Sequence, residues 1–131
     1  MTNVEVVQAL YAAMATKDIA AIFELLDESF VLDQDDRLPY GGHYEGHDGF
    51  ATFAIALTST IDSVVTTEAM YEADDDVVQF GFTRGTIVAT GAPFDVAEVH
   101  RWKVEDGKAV RAHFQIDTAK MLEALAAPAP A

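Results

Sequence analysis

The hydrophobic period of this chain changes partway along, and that change limits what it can fold into. Val4, Val7, Leu10, Tyr11 and Met14 recur at helical spacing, and so do Ile19, Ile22, Phe23 and Leu26. Thr2-x-x-Glu5 forms a capping-box pattern before the first stripe, and Asp18 can cap the second. A short strand is expected from about Ser29. Arg37 to Gly49, "RLPYGGHYEGHDG", is rich in turn residues and leads into a third helix carrying Phe50, Phe53, Ala54 and Leu57 on one face. Beyond it the period drops to two. Val64–Tyr71, Val77–Ala89, Phe94–Val104 and Ala109–Ile116 read as strands, separated by "ADDD", "TGAP" and "EDG". Helices followed by an antiparallel meander give an α+β layout, with a pocket between the layers where the sheet curves.

Composition narrows the class. A chain of 131 residues with 50% hydrophobic and 23% charged residues suits one domain with one core. That domain is expected over residues 1–125, and the Ala/Pro stretch 126–131 as a flexible tail. Without Cys there is no disulfide framework and no Cys-based zinc site. The four His show no metal-binding spacing on a helix, so no metal is expected. A formal net charge of −14 disfavours nucleic acid and anionic membranes as partners, because like charges repel. The opening "MTNVEVVQ" has neither a basic nor an apolar leader region, and no apolar run approaches the roughly 20 residues of a membrane helix. A cytoplasmic protein is the resulting expectation.

Alternation assigns the strand faces. In Val77–Ala89 one face reads Val78, Phe80, Phe82, Arg84, Thr86 and Val88, which puts Arg84 inward. In the next strand Val96, Glu98, His100, Trp102 and Val104 share a face, with Asp95, Arg101 and Lys103 opposite. The last strand sets Val110, Ala112, Phe114 and Ile116 against Arg111, His113 and Gln115. A three-residue loop, Glu105-Asp106-Gly107, aligns the two apolar faces and pairs His100 with Ala112. A two-residue loop would set His100 opposite His113. Three polar groups, Arg84, Glu98 and His100, therefore enter an apolar face. They form either an internal ion pair with a neighbouring imidazole or the polar points of a ligand pocket. Asp33 is ambiguous. It shares a strand face with Val31, while Phe30 and Leu32 share the other, so alternation does not say which way it points.

These stretches resemble the SnoaL-like polyketide cyclase and ketosteroid isomerase branch of the nuclear-transport-factor-2-like superfamily. Val6 to Asp33 is similar to the family's two helices running into a strand. Leu38 to Leu57 is similar to its glycine-punctuated turn into a third helix. His100 to Leu122 is similar to its closing hairpin, with Ile116-Asp117 in place of the usual Phe-Asp. The resemblance implies a cone-shaped roll, a strongly curved mixed sheet enclosed by three helices, which dimerises through its outer sheet face. It also implies Asp33 as general base at the end of the first strand. His100 stands where the isomerases hold a protonated carboxyl group. Leu10 stands where they carry a helix-one Tyr, with Tyr11 one place off.

The function so implied is acid–base chemistry without a cofactor on a small, largely apolar molecule: isomerisation, cyclisation, dehydration or hydrolysis. Asp33 is the expected base, His100 its partner and Arg84 a charge stabiliser. Tyr11, Tyr40, Phe80, Phe82, Glu98, Trp102, Ala112 and Phe114 are the expected pocket lining. Tyr40, His43 and His47, in the turn before the third helix, either rim the pocket mouth or lie in solvent. The alternative is a ligand binder or dimeric interaction module on the same scaffold, without chemistry.

Overall fold

The computed structural model describes residues 1–131. Helix α1 (Asn3–Ala15) starts at the capping box read from the sequence. The Thr2 hydroxyl accepts from the Glu5 amide, and the Glu5 carboxylate accepts from the Thr2 amide. Asp18 caps α2 (Ile19–Leu25) by accepting from the Ala21 amide. Strand β1 (Leu26–Gln34) begins three residues earlier than expected. The glycine-rich turn contains a short strand, β2 (Gly42–Glu45), before α3 (Gly46–Thr60). Strands β3 (Ile61–Ala73), β4 (Asp76–Ile87), β5 (Pro93–Glu105) and β6 (Lys108–Ile116) form the meander. A fourth helix, α4 (Thr118–Ala126), was not expected; it is capped by Asp117 and anchored by Met121, which is fully buried.

The six strands form one mixed sheet in the order β2-β1-β6-β5-β4-β3. Only the β1–β6 pair is parallel; the other neighbours are antiparallel. The sheet is open, with β2 and β3 as its edges. Helix α1 packs on β3, β4, β5 and β6, and α3 packs on β1, β2 and β3. Between the layers lies one core that includes Val6, Val7, Leu10, Leu26, Phe30, Leu32 and Trp102, all fully buried. Each such aliphatic or aromatic side chain contributes roughly 1.5–3 kcal/mol through burial.

Strand β4 faces the opposite way from the expectation. Val77, Gln79, Gly81, Thr83 and Ile87 are buried, while Phe80 and Arg84 are exposed. The reason lies in its glycines. A Cβ on Gly81 would stand 2.0 Å from the Thr66 carbonyl oxygen, and one on Gly85 would stand 1.9 Å from that of Asp62. The backbone of β3 approaches β4 too closely there for any side chain. The more apolar face of β4 is thus turned out, where Phe80 meets Tyr71 edge-on at 6.2 Å.

The β5–β6 connection reaches the expected alignment by another route. Asp106 and Gly107 form a two-residue turn, both with positive φ (51° and 77°), and Glu105 pairs with Lys108. A bulge then skips Val110, so that Val104 pairs with Ala109 but Lys103 pairs with Arg111. From there His100 stands opposite Phe114, not Ala112 as expected, and the buried faces coincide.

Candidate functional site

The inward face of β5 carries Glu98, His100 and Trp102, and α1 lays Tyr11 across them. The Tyr11 hydroxyl lies 2.6 Å from His100 Nδ1, and Trp102 Nε1 donates to the same hydroxyl oxygen at 3.1 Å. That oxygen therefore accepts from the indole, and its proton is free to go to Nδ1. His100 is then the neutral tautomer protonated at Nε2. Glu98 Oε2 stands 3.2 Å from Nδ1, and the Thr83 hydroxyl donates to Glu98 Oε1. Phe114 stacks on the imidazole with centroids 4.1 Å apart.

Burial sets the charge state of this cluster. It lowers His100 to about 3 and pushes the Tyr11 phenol up. It also raises the Glu98 carboxyl, which hydrogen bonds from Thr83 and Gln79 partly offset. In all three groups burial is the largest influence and acts against the charged form. His100 Nε2 has no hydrogen-bond partner within the chain, yet it is not among the sealed, unpartnered atoms, which are Gln34 Oε1, Gln79 Oε1 and Glu98 Oε2. A sealed polar atom without a partner costs about 1–3 kcal/mol.

Several expected site residues lie elsewhere. Asp33 points to the outer face, where its Oδ1 meets His43 Nδ1 at 2.6 Å with 42% of the side chain exposed. Phe30 and Leu32 take the inward positions of β1, where Phe30 packs on Trp102 and Phe50, and this parity turns Asp33 out. Arg84 is also outside, bonded to Asp95 at 3.0 Å and lying over the Phe82 ring. Phe80 and Phe82 share that outer face and line no interior site. Tyr40 is buried, edge-on to Phe53, and Ala112 is buried as the cross-strand partner of Trp102. His43 holds Asp33 and Glu45, which raise it, the Asp33 hydrogen bond most. His47 stacks on Phe23 and contacts the Leu26 carbonyl oxygen at 2.8 Å.

Tyr11, one place after Leu10, brings a helix-one hydroxyl to His100. Leu10 is fully buried in the core instead. Gln34, Gln79 and Thr83 are inward polar residues that the sequence reading passed over. For Gln34 the signal was present, because it continues the parity of Phe30 and Leu32. A surface groove of about 470 Å³ at the end of β6 is walled by Phe114, Ile116, Asp117, Asp35 and Arg37. Phe114 thus lines the groove and stacks on His100.

The profile of the SnoaL-like domain family matches residues 7–112. The chain belongs to this family. No curated protein sequence matches the chain. Among solved structures, this SnoaL-like chain is similar to a nuclear-transport-factor-2-like protein from Burkholderia pseudomallei, at 26% identity and a TM-score of 0.88, covering 97% of this chain and 100% of the other. It is similar to TerC co-crystallised with polyporic acid, at 26% identity and a TM-score of 0.87, covering 95% and 98%. It also shares its fold with a ketosteroid isomerase-like protein of Catenulispora acidiphila in complex with trimethylamine, at 18% identity and a TM-score of 0.80, covering 95% and 94%. No helix of this SnoaL-like domain is long and apolar enough to cross a membrane.

Proposed function

We propose that this SnoaL-like domain is an enzyme that moves protons on a small, largely apolar substrate without a cofactor, with His100 Nε2 as the group that meets it. The observation that carries this reading is the arrangement around one imidazole. Nδ1 is held by Tyr11 at 2.6 Å with Glu98 behind it at 3.2 Å, and Nε2 is left unpartnered.

The chemistry follows from neutrality. An imidazole this buried resists protonation, so it works by changing tautomer. As Nε2 gives its proton to a substrate oxygen, the Tyr11 hydroxyl turns away from Nδ1, which takes a proton from Glu98 Oε2 at 3.2 Å, a carboxyl group whose neutral form burial favours. In reverse, Nε2 takes a proton from the substrate and Nδ1 returns one to the Glu98 carboxylate. The imidazolium need never form. The Tyr11 hydroxyl keeps the ring in place and favours the tautomer with Nε2–H. This reading replaces Asp33 as the working carboxyl group with Glu98. The likeness to TerC, co-crystallised with polyporic acid, supports a small organic substrate.

The test follows hydrogen–deuterium exchange at the α-carbon of a panel of aryl ketones by NMR. The domain is expected to accelerate exchange of at least one member, and His100→Gln to abolish the acceleration while keeping its circular dichroism. Acceleration that persists in His100→Gln sinks the assignment. The second reading, a binder without chemistry, is favoured by one observation: the strand-end acid Asp33 faces away from the interior. Ligand-induced thermal stabilisation without exchange or product would select it.

A further inference from the structure

The chain carries 22 acidic side chains against 8 Lys and Arg, yet three of those eight stand together on the outer face of the sheet. Arg101 and Lys103 point outward from β5, and Arg111 and His113 from β6; all four are exposed. Lys103 is the cross-strand partner of Arg111, and Arg101 that of His113. Residues directly opposite lie about 5 Å apart and residues two along a strand about 7 Å apart, so the four side chains rise from the corners of one small rectangle. They wall a depression of about 290 Å³, to which Asp76 contributes the only carboxylate and no apolar side chain contributes.

This cluster differs from an ordinary solvated face in two ways. Like charges directly opposite one another on neighbouring strands destabilise a sheet, and Lys103 and Arg111 form such a pair. The bulge at Val110 creates it. Without the bulge Lys103 would stand opposite Val110, and Arg111 would fall on the inner face opposite Trp102. The second difference is that the neighbouring carboxylates are engaged elsewhere. Asp76 holds Arg101 Nε at 2.5 Å, Glu105 meets Lys103 at 3.5 Å, and Asp33, cross-strand from His113, holds His43 at 2.6 Å. Arg101 bonds Asp76 through Nε alone, so its terminal nitrogens remain to donate. Arg111 and His113 make no ion pair and no side-chain hydrogen bond.

The cluster thus lacks negative charge, in a chain whose formal net charge is −14. The overall charge repels anions at long range, but salt confines that repulsion to roughly 8 Å at physiological ionic strength. Guanidinium forks match phosphate oxygens bidentately, and Lys adds a point charge. We infer that the outer face of β5 and β6 binds a phosphate-class oxyanion, seated between Arg101, Lys103, Arg111 and His113. The site lies across the sheet from His100 and stands independently of the proposed chemistry.

The experiment is calorimetric titration of the full chain with inorganic pyrophosphate and, separately, with glycerol phosphate, at pH 7 and constant ionic strength. Saturable binding of at least one is expected. The tighter of the two tells a free inorganic anion from a phosphorylated organic compound. Arg111→Gln breaks no ion pair within the chain and is expected to weaken binding about tenfold or more, as loss of a charge-assisted hydrogen bond does. Arg84→Gln removes the same charge from the same face, where Arg84 already bonds Asp95 at 3.0 Å, and is expected to leave binding unchanged. In proton NMR the His113 ring signals are expected to shift on saturation and those of His47 to stay. No binding up to millimolar concentration, equal weakening by the two substitutions, full binding by Arg111→Gln or an unmoved His113 overturns the inference. If sedimentation finds a dimer that Arg111→Gln dissociates, with no anion uptake by either protein, the face belongs to a second copy and the inference fails.

Discussion

The Tyr11 hydroxyl and His100 Nδ1 lie 2.6 Å apart, although 89 positions separate them in the chain. This contact joins the first helix to the middle of the sheet. It also holds the only tryptophan, because Trp102 donates to the same oxygen. Removing the hydroxyl leaves an indole N–H and an imidazole nitrogen without their partner. Tyr11→Phe is expected to lose about 1–3 kcal/mol of stability, read by urea denaturation, together with most of the exchange activity. Full stability in this variant would mean that the hydroxyl does not hold the two layers together.

The pH dependence of stability has two opposed parts. His100 is lowered from 6.5 to about 3 by burial, so between those values the unfolded chain binds the extra proton. Its contribution is complete above pH 6.5 and is lost as pH falls toward 3. Glu98 is raised above 4.5 by burial, so here the folded chain holds the extra proton, and stability falls as pH rises from 4.5 through the raised value. Melting temperatures from pH 3 to 8 are expected to drop less on the acid side in His100→Asn than in the unaltered chain. In Glu98→Gln they are expected to drop less on the alkaline side. Parallel profiles for all three proteins would contradict the burial of both groups.

Asp33 faces solvent beside His43. Asp33→Asn is therefore expected to leave exchange activity and melting temperature unchanged, because exposed ion pairs contribute little. The same substitution lowers the His43 pKa, since the Asp33 hydrogen bond is the largest cause of its upward shift. Proton NMR titration of the His43 ring reads this directly. Lost activity in Asp33→Asn would return the base to the first strand.

Gly81 faces the Thr66 carbonyl at a distance where a Cβ cannot fit. Gly81→Ala must push β3 from β4 and is expected to cost about 1–3 kcal/mol as overpacking. Gly107→Ala is the contrasting case. Nothing stands near its Cβ, and only its positive φ of 77° opposes the change, so about 1 kcal/mol is expected. Chemical denaturation of the two variants separates steric contact from backbone conformation.

Local signals were legible from the sequence. The capping box at Thr2, the Asp18 cap, the face of β5 and that of β6 from Ala112 onward depend on neighbours a few residues away, and each stands where the pattern put it; at the start of β6 Ala109 is buried in place of Val110. The inward positions of Glu98 and His100 followed from alternation alone. The likeness to the family rested on the order of such local elements, and the match over residues 7–112 bears it out.

Tertiary packing decided the rest. Alternation says which residues share a face, but not which face is inside. In β1, Phe30 and Leu32 won the interior and turned Asp33 out. In β4, the close approach of β3 demanded glycines inward and sent the apolar-looking face, with Phe80 and Arg84, to the surface. The bulge at Val110 restored a register that the two-residue turn alone would have broken. The Tyr11–His100 contact depends on how one helix docks across strands far along the chain, and no local pattern carries that information.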